Sequence, residues 1–361
     1  MLGIDEKALR VTWTVFLFTL LLLVVYSIRE TLLVFAGAIF FAYVLSPIVT
    51  LIERVLPKRR AVALGLVYVV LLGAMVGLGF ALIPRLASEA ISLFKRLPAL
   101  VMSGGWATLP LPGWAAPVRG QIMDAVAKWA SGLEAHAVPF IQEAGSEILS
   151  GVGNLVPMIL VPILAFFFLK DARAIKIGLL NTTHGSSRTT LGAILDDVHV
   201  MLQSYMKALV ILAAASFSAW FIFLSILGAP YALLLAGLAG ILEFIPVIGP
   251  AAALVIILVV NSATGAGGLV WILGFWVLYR VFQDYVLNPF LMSSGVEIHP
   301  ILILFGVLAG ERLGGVPGMF FSVPILAILK VVLSNLSRAA TERELSVVDL
   351  ISRERSAERD T

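Results

Sequence analysis

Long apolar runs broken by short charged loops dominate this chain. A helix needs about 20 apolar residues to cross a hydrocarbon core about 30 Å thick. Six runs approach that length: Val11 to Ile28, Thr31 to Ile52, Ala61 to Ile83, Val152 to Leu169, Ala208 to Gly228 and Leu269 to Leu287. The first follows Lys7 and Arg10 as a signal peptide would. It shows no small-residue cleavage site before Arg29 and Glu30 and is read as an uncleaved helix. The stretch from Arg85 to Ser150 interrupts the series with Trp106, Trp114, Trp129, several prolines and five acidic residues against five basic ones. It predicts an extramembrane insert with amphipathic surface helices such as Leu86 to Phe94 and Gln121 to Trp129. A second polar stretch, Lys170 to Lys207, holds a helix-like run from Ile194 to Leu202, and the charged residues from Thr341 onward predict a solvated, partly disordered tail.

Two further apolar segments contain helix breakers. Between Tyr231 and Asn261 the sequence Pro246-Val-Ile-Gly-Pro250 leaves arms of about 15 and 11 residues, and the second arm rises only about 17 Å. Proline withholds a backbone donor and crowds the preceding turn, so the helix breaks here. Broken backbone at membrane depth survives only where protein or a wet cavity satisfies it, and such segments point to a transporter's site. The segment predicts a re-entrant hairpin. From Pro300 the same form recurs: an arm to Ala309, a breaker Gly310-Glu-Arg-Leu-Gly-Gly-Val-Pro-Gly318, and a second arm to about Ser334. The chain thus divides into N-terminal spans (1–84), the insert (85–150), a core (151–340) with hairpins over 231–261 and 300–334, and a tail (341–361).

Composition and charge fit this layout. Of 361 residues 60% are hydrophobic and 13% charged, against roughly a quarter charged in soluble domains, and mean hydropathy is +1.03. The net charge is only +3 and the basic residues lie between apolar runs, which argues against nucleic-acid binding. Basic loops stay cytoplasmic, so Arg54, Lys58, Arg59 and Arg60 place the second loop, both termini and the Lys170 to Lys207 stretch inside; 18 of the 25 basic residues then lie inside and 6 outside. With no cysteine there is no thiolate nucleophile or cysteine metal site, and the four histidines form no HExxH pair. Walker A is absent, and Gly151 and Gly153 open a glycine fingerprint that Val156 fails to complete. Asp196, Asp197, His199 and Gln203 read as a solvated helix face, with no metal or cofactor assigned. An enzyme is not expected.

The candidate pathway follows from polar groups in apolar surroundings. Glu243, just before the first break, is a functional candidate because an intramembrane carboxylate is costly. It carries a proton or cation, or else caps the hairpin turn. Phe244, Pro246, Gly249 and Pro250 break the helix and expose its amides and carbonyls. Asp284 and Asn288 share a face with Arg280 one turn earlier, either touching a ligand or forming an ion pair, while Gln283 and Tyr279 suit hydrogen bonds to a small hydroxylated solute. Glu297 and His299 form a candidate pH-sensitive pair or an exposed loop. Glu311 and Arg312 gate the second hairpin tip or simply neutralise each other. Gly73, Gly77 and Gly79 permit close packing or oligomer contact.

The string Leu227-Gly-Ala-Pro-Tyr-Ala-Leu-Leu-Leu-Ala-Gly-Leu-Ala-Gly240, Phe244-Ile-Pro-Val-Ile-Gly-Pro250, Asn288-Pro289, Ile298-His-Pro300, Gly314-Gly-Val-Pro-Gly318 and Val323-Pro324 resembles the autoinducer-2 exporter family of bacterial permeases. The likeness is strong from about Lys170 onward, and the N-terminal half matches in plan. Where many relatives open the fifth span with Gly-Gln, this chain has Lys207-Ala-Leu209. The resemblance implies a polytopic inner-membrane transporter, often oligomeric, whose relatives include exporters of the furanone autoinducer-2 and sodium or lithium/proton antiporters. It brings Pro289, Pro300, Gly314, Gly315, Pro317 and Gly318 into the candidate pathway.

The expected fold is therefore all-α, with about six spans, two opposed re-entrant hairpins and an external helical insert. The expected function is export of a small polar metabolite by alternating access. Cation/proton antiport and a non-transporting envelope scaffold are the alternatives. Expected partners are membrane lipids, a small-molecule or cation substrate and further copies of the chain, with no nucleic acid.

Overall fold

The computed structural model describes residues 6–55, 60–102, 155–264, 268–291 and 298–359, with scattered helical positions between 120 and 139. The protein is an all-α, polytopic membrane fold, with no strand among the described residues. Helices α1 (Glu6–Ser27), α2 (Arg29–Val55), α3 (Arg60–Met102), α4 (Leu155–Asn181) and α5 (Ser186–Ile226) precede two short ones, α6 (Ala232–Leu242) and α7 (Ile248–Ala263). Next, α8 (Leu269–Phe282) passes through a π-helical turn (Gln283–Leu287) into α9 (Asn288–Leu291), and α10 (Pro300–Arg359) follows. Among the described residues five stretches are long and apolar enough to cross a membrane: Leu9–Ser27, Arg29–Arg54, Ser186–Ile226, Leu269–Leu291 and Pro300–Thr341. The described parts of the third and fourth predicted spans lie in α3 and α4.

Several helices outrun the apolar stretches that predict them. The third continues past Arg85 to Met102, so Leu86 to Phe94 is not a separate surface helix. Its Leu93 is buried in the same cluster as Trp220, Leu224 and Leu254. The fourth span continues to Asn181, and the polar run from Ser186 is one helix with the fifth span. The tail is helical to Arg359 where disorder was expected. A change from apolar to polar residues does not stop a helix, because backbone hydrogen bonding propagates until a breaker or cap intervenes. Most of the predicted insert, including Trp106, Trp114 and Trp129, lies outside the described residues.

Three apolar clusters hold the bundle. One joins α2, α3 and α4 through Leu45, Val49, Leu64, Val67 and Ala165. Another joins α2, α5 and α10, with the Phe40 ring 4.9 Å from that of Phe321. The third packs α5 to α8 around Trp220, Leu235, Ile257 and Ile272. By contrast, none of the candidate span in α1 is buried within the chain.

Both breaker segments fold back on themselves. In the first, α6 packs along α5: a Cβ on Gly240 would lie 3.0 Å from the Ala213 carbonyl oxygen. The chain then reverses between Leu242 and Ile248, where Val247 takes φ 67 and Ile248 N–H donates to the Pro246 carbonyl at 2.7 Å. That three-residue turn with positive φ is rare and strained, most of all for a β-branched residue. In α10 the helical path breaks at Gly314 and at Gly315, whose φ is 60. The two arms then run antiparallel: Gly306 faces Leu326 and Ser322, and a Cβ at Gly310 or Gly318 would collide with the other's carbonyl oxygen.

The hairpins open at opposite ends of the bundle. The first begins where Ala229 N–H donates to the Leu224 carbonyl, beside the C-terminal end of α5. At the open end of the second, Ile298 packs in the cluster of Met201 and Leu202, and Asn335 Nδ2 donates to Asp197 Oδ2 at 2.9 Å. From Met201 to Ile226 a helix rises about 38 Å, more than the hydrocarbon thickness of a bilayer. The tips pass each other between these ends, with the Phe244 ring 5.7 Å from that of Phe320.

Gly310→Ala and Gly318→Ala should each destabilise the protein by about 1–3 kcal/mol through overpacking of the arms. Gly274→Ala, with nothing within 4 Å of the added carbon, should not. Thermal unfolding in detergent followed by circular dichroism checks the difference.

Candidate functional site

The first hairpin brings Glu243 to the end of α6 and buries it to 8% exposure. Gln283, at the start of the π-helical turn, is buried to 2% and donates from Nε2 to Glu243 Oε1. Arg280, one turn earlier, donates from Nη1 to Gln283 Oε1 at 3.1 Å and lies 3.7 Å from Glu243 Oε1. Its Nη2 reaches Asp284 Oδ1 at 3.5 Å, and Asn288 Nδ2 donates to that same oxygen at 3.1 Å. One chain of polar groups therefore runs from the hairpin tip along α8. The wide turn lets it do so: a π-helical turn adds a residue and re-aims the side chains after it, and Pro289, which cannot donate to the carbonyl four residues back, is the second residue after this one. An ionised carboxylate removed from water costs several kcal/mol unless paired and hydrogen-bonded, and Arg280 and Gln283 supply both.

This network forms one wall of a cavity of about 360 Å³. Glu243, Pro246, Val247 and Pro250 come from the first hairpin, Arg280, Gln283 and Asn288 from the α8–α9 segment, Met201, Ser204, Tyr205, Leu209 and Leu212 from α5, and Ile303, Val323 and Ala327 from the second hairpin. Two buried polar atoms on these lining residues, Tyr205 Oη and Asn288 Oδ1, have no protein hydrogen-bond partner. Such groups are costly inside a protein and suit a polar ligand or water. The cavity is mostly apolar with a few convergent polar groups, as small-solute sites are.

Other candidates fall elsewhere. Phe244 packs on Phe320, and a Cβ on Gly249 would overlap the Leu242 carbonyl, so both shape the tip rather than line the cavity. Asp284 is half exposed, joined to Arg280 and Asn288. Glu297 lies outside the described residues. His299 is exposed, its Nδ1 accepting from Ile301 N–H at 3.2 Å beside Pro300, the first residue of α10. Glu311 and Arg312 are exposed neighbours 3.7 Å apart, close to Gly314 and Gly315 and to Pro317 and Gly318 on the returning arm. That tip approaches Leu33 on α2, not the cavity. On the polar face of α5, Asp196 pairs with Lys176, Asp197 with Asn335, and His199 with Tyr43 at 3.0 Å, which ties four helices together. Sequence reasoning missed Tyr205, Ser204 and Val247. A tyrosine in the polar run just ahead of the fifth span was the available signal for the first.

The profile of the AI-2E family transporters matches residues 15–338, nearly the whole chain. The chain belongs to the AI-2E transporter family. It is 26% identical over 326 residues to the protein named "Putative transport protein YrrI" of Bacillus subtilis, covering 84% of this chain and 86% of that one. It is 25% identical over 360 residues to "Putative transport protein YueF" of the same organism, covering 92% and 95%. With "Putative permease PerM" of Escherichia coli it shares 27% over 305 residues, covering 82% and 84%. As an AI-2E member the chain is a multi-pass membrane protein with a role in transport. Its family is permease-like rather than enzymatic.

Removing Arg280 should leave Glu243 as a buried charge without a counterion. Arg280→Met should therefore destabilise by about 3–5 kcal/mol. Adding Glu243→Gln should recover part of that loss, with a coupling of about 0.5–3 kcal/mol. A double-mutant cycle of unfolding free energies in detergent measures it.

Proposed function

We propose that this AI-2E protein is a secondary transporter that exports a small polar metabolite by alternating access, with the cavity beside Glu243 as its solute site. The observation that carries the reading is the carboxylate–amide–guanidinium chain of Glu243, Gln283 and Arg280 on a cavity wall between hairpins that open at opposite ends of the bundle. Broken helices from two sides converging near mid-depth are the arrangement in which a solute site can be uncovered to each face in turn. Ser216, beside Glu243, lies about 15 Å along α5 from Ile226, which puts the carboxylate well inside the bundle. A cavity of about 360 Å³ falls in the range of small-molecule sites, roughly 300–1,000 Å³.

The basic loops favour an inner-membrane orientation with both termini cytoplasmic, the first hairpin opening outward and the second inward. Lipid would cover α1. Gly73 and Gly77, with nothing within 4 Å of an added Cβ, leave a small-residue face on α3 free for a second copy. A second reading, sodium or lithium/proton antiport, is favoured by Glu243 itself, because a carboxylate retained at this depth is a proton or cation site by default.

Purified protein in proteoliposomes with an imposed pH gradient separates the readings. Export predicts autoinducer-2 flux without sodium dependence, lowered at least about tenfold in Glu243→Gln. Antiport predicts sodium-driven proton movement that the same variant abolishes. Wild-type flux in Glu243→Gln removes the carboxylate from the mechanism, and function in cells that survives mutation of both hairpins favours the scaffold.

A further inference from the structure

Behind Glu243, on the side away from the solute cavity, lies a second, much smaller crevice of about 10 Å³. Glu243, Pro250, Arg280 and Gln283 line both spaces and form the partition between them. The crevice adds Ser216, Trp276 and Tyr279. On its lining, the buried Trp276 Nε1 has no protein hydrogen-bond partner, and the buried Tyr279 hydroxyl has only the Ser216 hydroxyl within reach, which also lies against Glu243. An unmatched buried donor is expensive, and the indole N–H can only donate. A donor of that kind cannot ligate a cation. The volume corresponds to about one water, which needs roughly 10–15 Å³ and two to four polar partners.

We propose that this crevice is a single-water site serving Glu243 as a proton port separate from the solute cavity. The water accepts from Trp276 Nε1–H, exchanges a hydrogen bond with the Tyr279 hydroxyl and donates to the Glu243 carboxylate. A proton arriving at the water is handed to a Glu243 oxygen, and the water is left neutral, so nothing but the proton moves. Glu243 then takes or releases its proton on one face while a solute occupies the other. The role of the port rests on the transport reading above, whereas the water site stands on the crevice alone.

The test uses the full chain in lipid vesicles, with the Glu243 carboxyl band isolated in the infrared by subtracting the spectrum of Glu243→Gln. Trp276→Phe keeps an aromatic ring, smaller than the indole, and removes the donor, and Tyr279→Phe removes the hydroxyl. Each should shift the Glu243 band, and Tyr205→Phe, on the cavity wall, should not. An identical band in wild type, Trp276→Phe and Tyr279→Phe overturns the water site, whatever the outcome of the flux assays. The port is tested in the same vesicles: proton flux driven by a pH gradient should fall at least about tenfold in Trp276→Phe while solute binding is unchanged. Unchanged proton flux overturns the port.

Discussion

The arrangement of this transporter turns on one buried carboxylate. Glu243 sits at the tip of a helical hairpin, deep in the bundle, and an ionised carboxylate there costs several kcal/mol unless a counterion and hydrogen bonds replace the lost water. Arg280 and Gln283 do so from α8. Because Glu243 belongs to the first hairpin and its partners to the next helix, the pairing fixes where the hairpin tip lies and how α8 is rotated. The π-helical turn beginning at Gln283 is part of the same fit. The cavity and the smaller crevice exist where they do because this cluster stands between them.

The second constraint is the backbone. Chain that turns around at membrane depth must have its amides and carbonyls satisfied by protein. The first tip meets this with a tight sequence of turns: Ile245 N–H donates to the Leu242 carbonyl at 2.9 Å, Ile248 N–H to Pro246 at 2.7 Å and Gly249 N–H to Ile245 at 2.9 Å. Val247 takes up the strain with its positive φ. In the second hairpin the arms approach so closely at Gly310 and Gly318 that only hydrogen fits. Strain at a tip that lines the cavity is the kind of local cost that persists at working sites.

Much of this was legible in the residues and some was not. The breakers Pro246 to Pro250 and Gly310 to Gly318 announced both hairpins, since proline and paired glycines act on the backbone directly. Helix ends were less legible. Arg85, Lys170 and Thr341 mark changes of polarity, and the helices run on through all three: no breaker accompanies the change at Lys170 or Thr341, and at Arg85 the helix continues even past Pro84. The Arg280–Asp284–Asn288 face was open to reading, because it depends on helical spacing alone. The contact of Glu243 with Gln283 spans 40 positions and is made by packing, so spacing could not reveal it. The same holds for Ser216 and Trp276, ordinary apolar-helix residues until the fold brings them to the carboxylate.

The two hairpins open at opposite ends of the bundle, and the tip of the first and the arms of the second line the cavity beside Glu243. The chain contains no cysteine, so single cysteines report cleanly. Ile226→Cys marks the open end of the first hairpin and His299→Cys that of the second; both positions are exposed. Labelling intact cells and inverted vesicles with a membrane-impermeant maleimide should modify these two cysteines from opposite sides. Modification of both from the same side would contradict the opposed arrangement and, with it, a site uncovered to each face in turn.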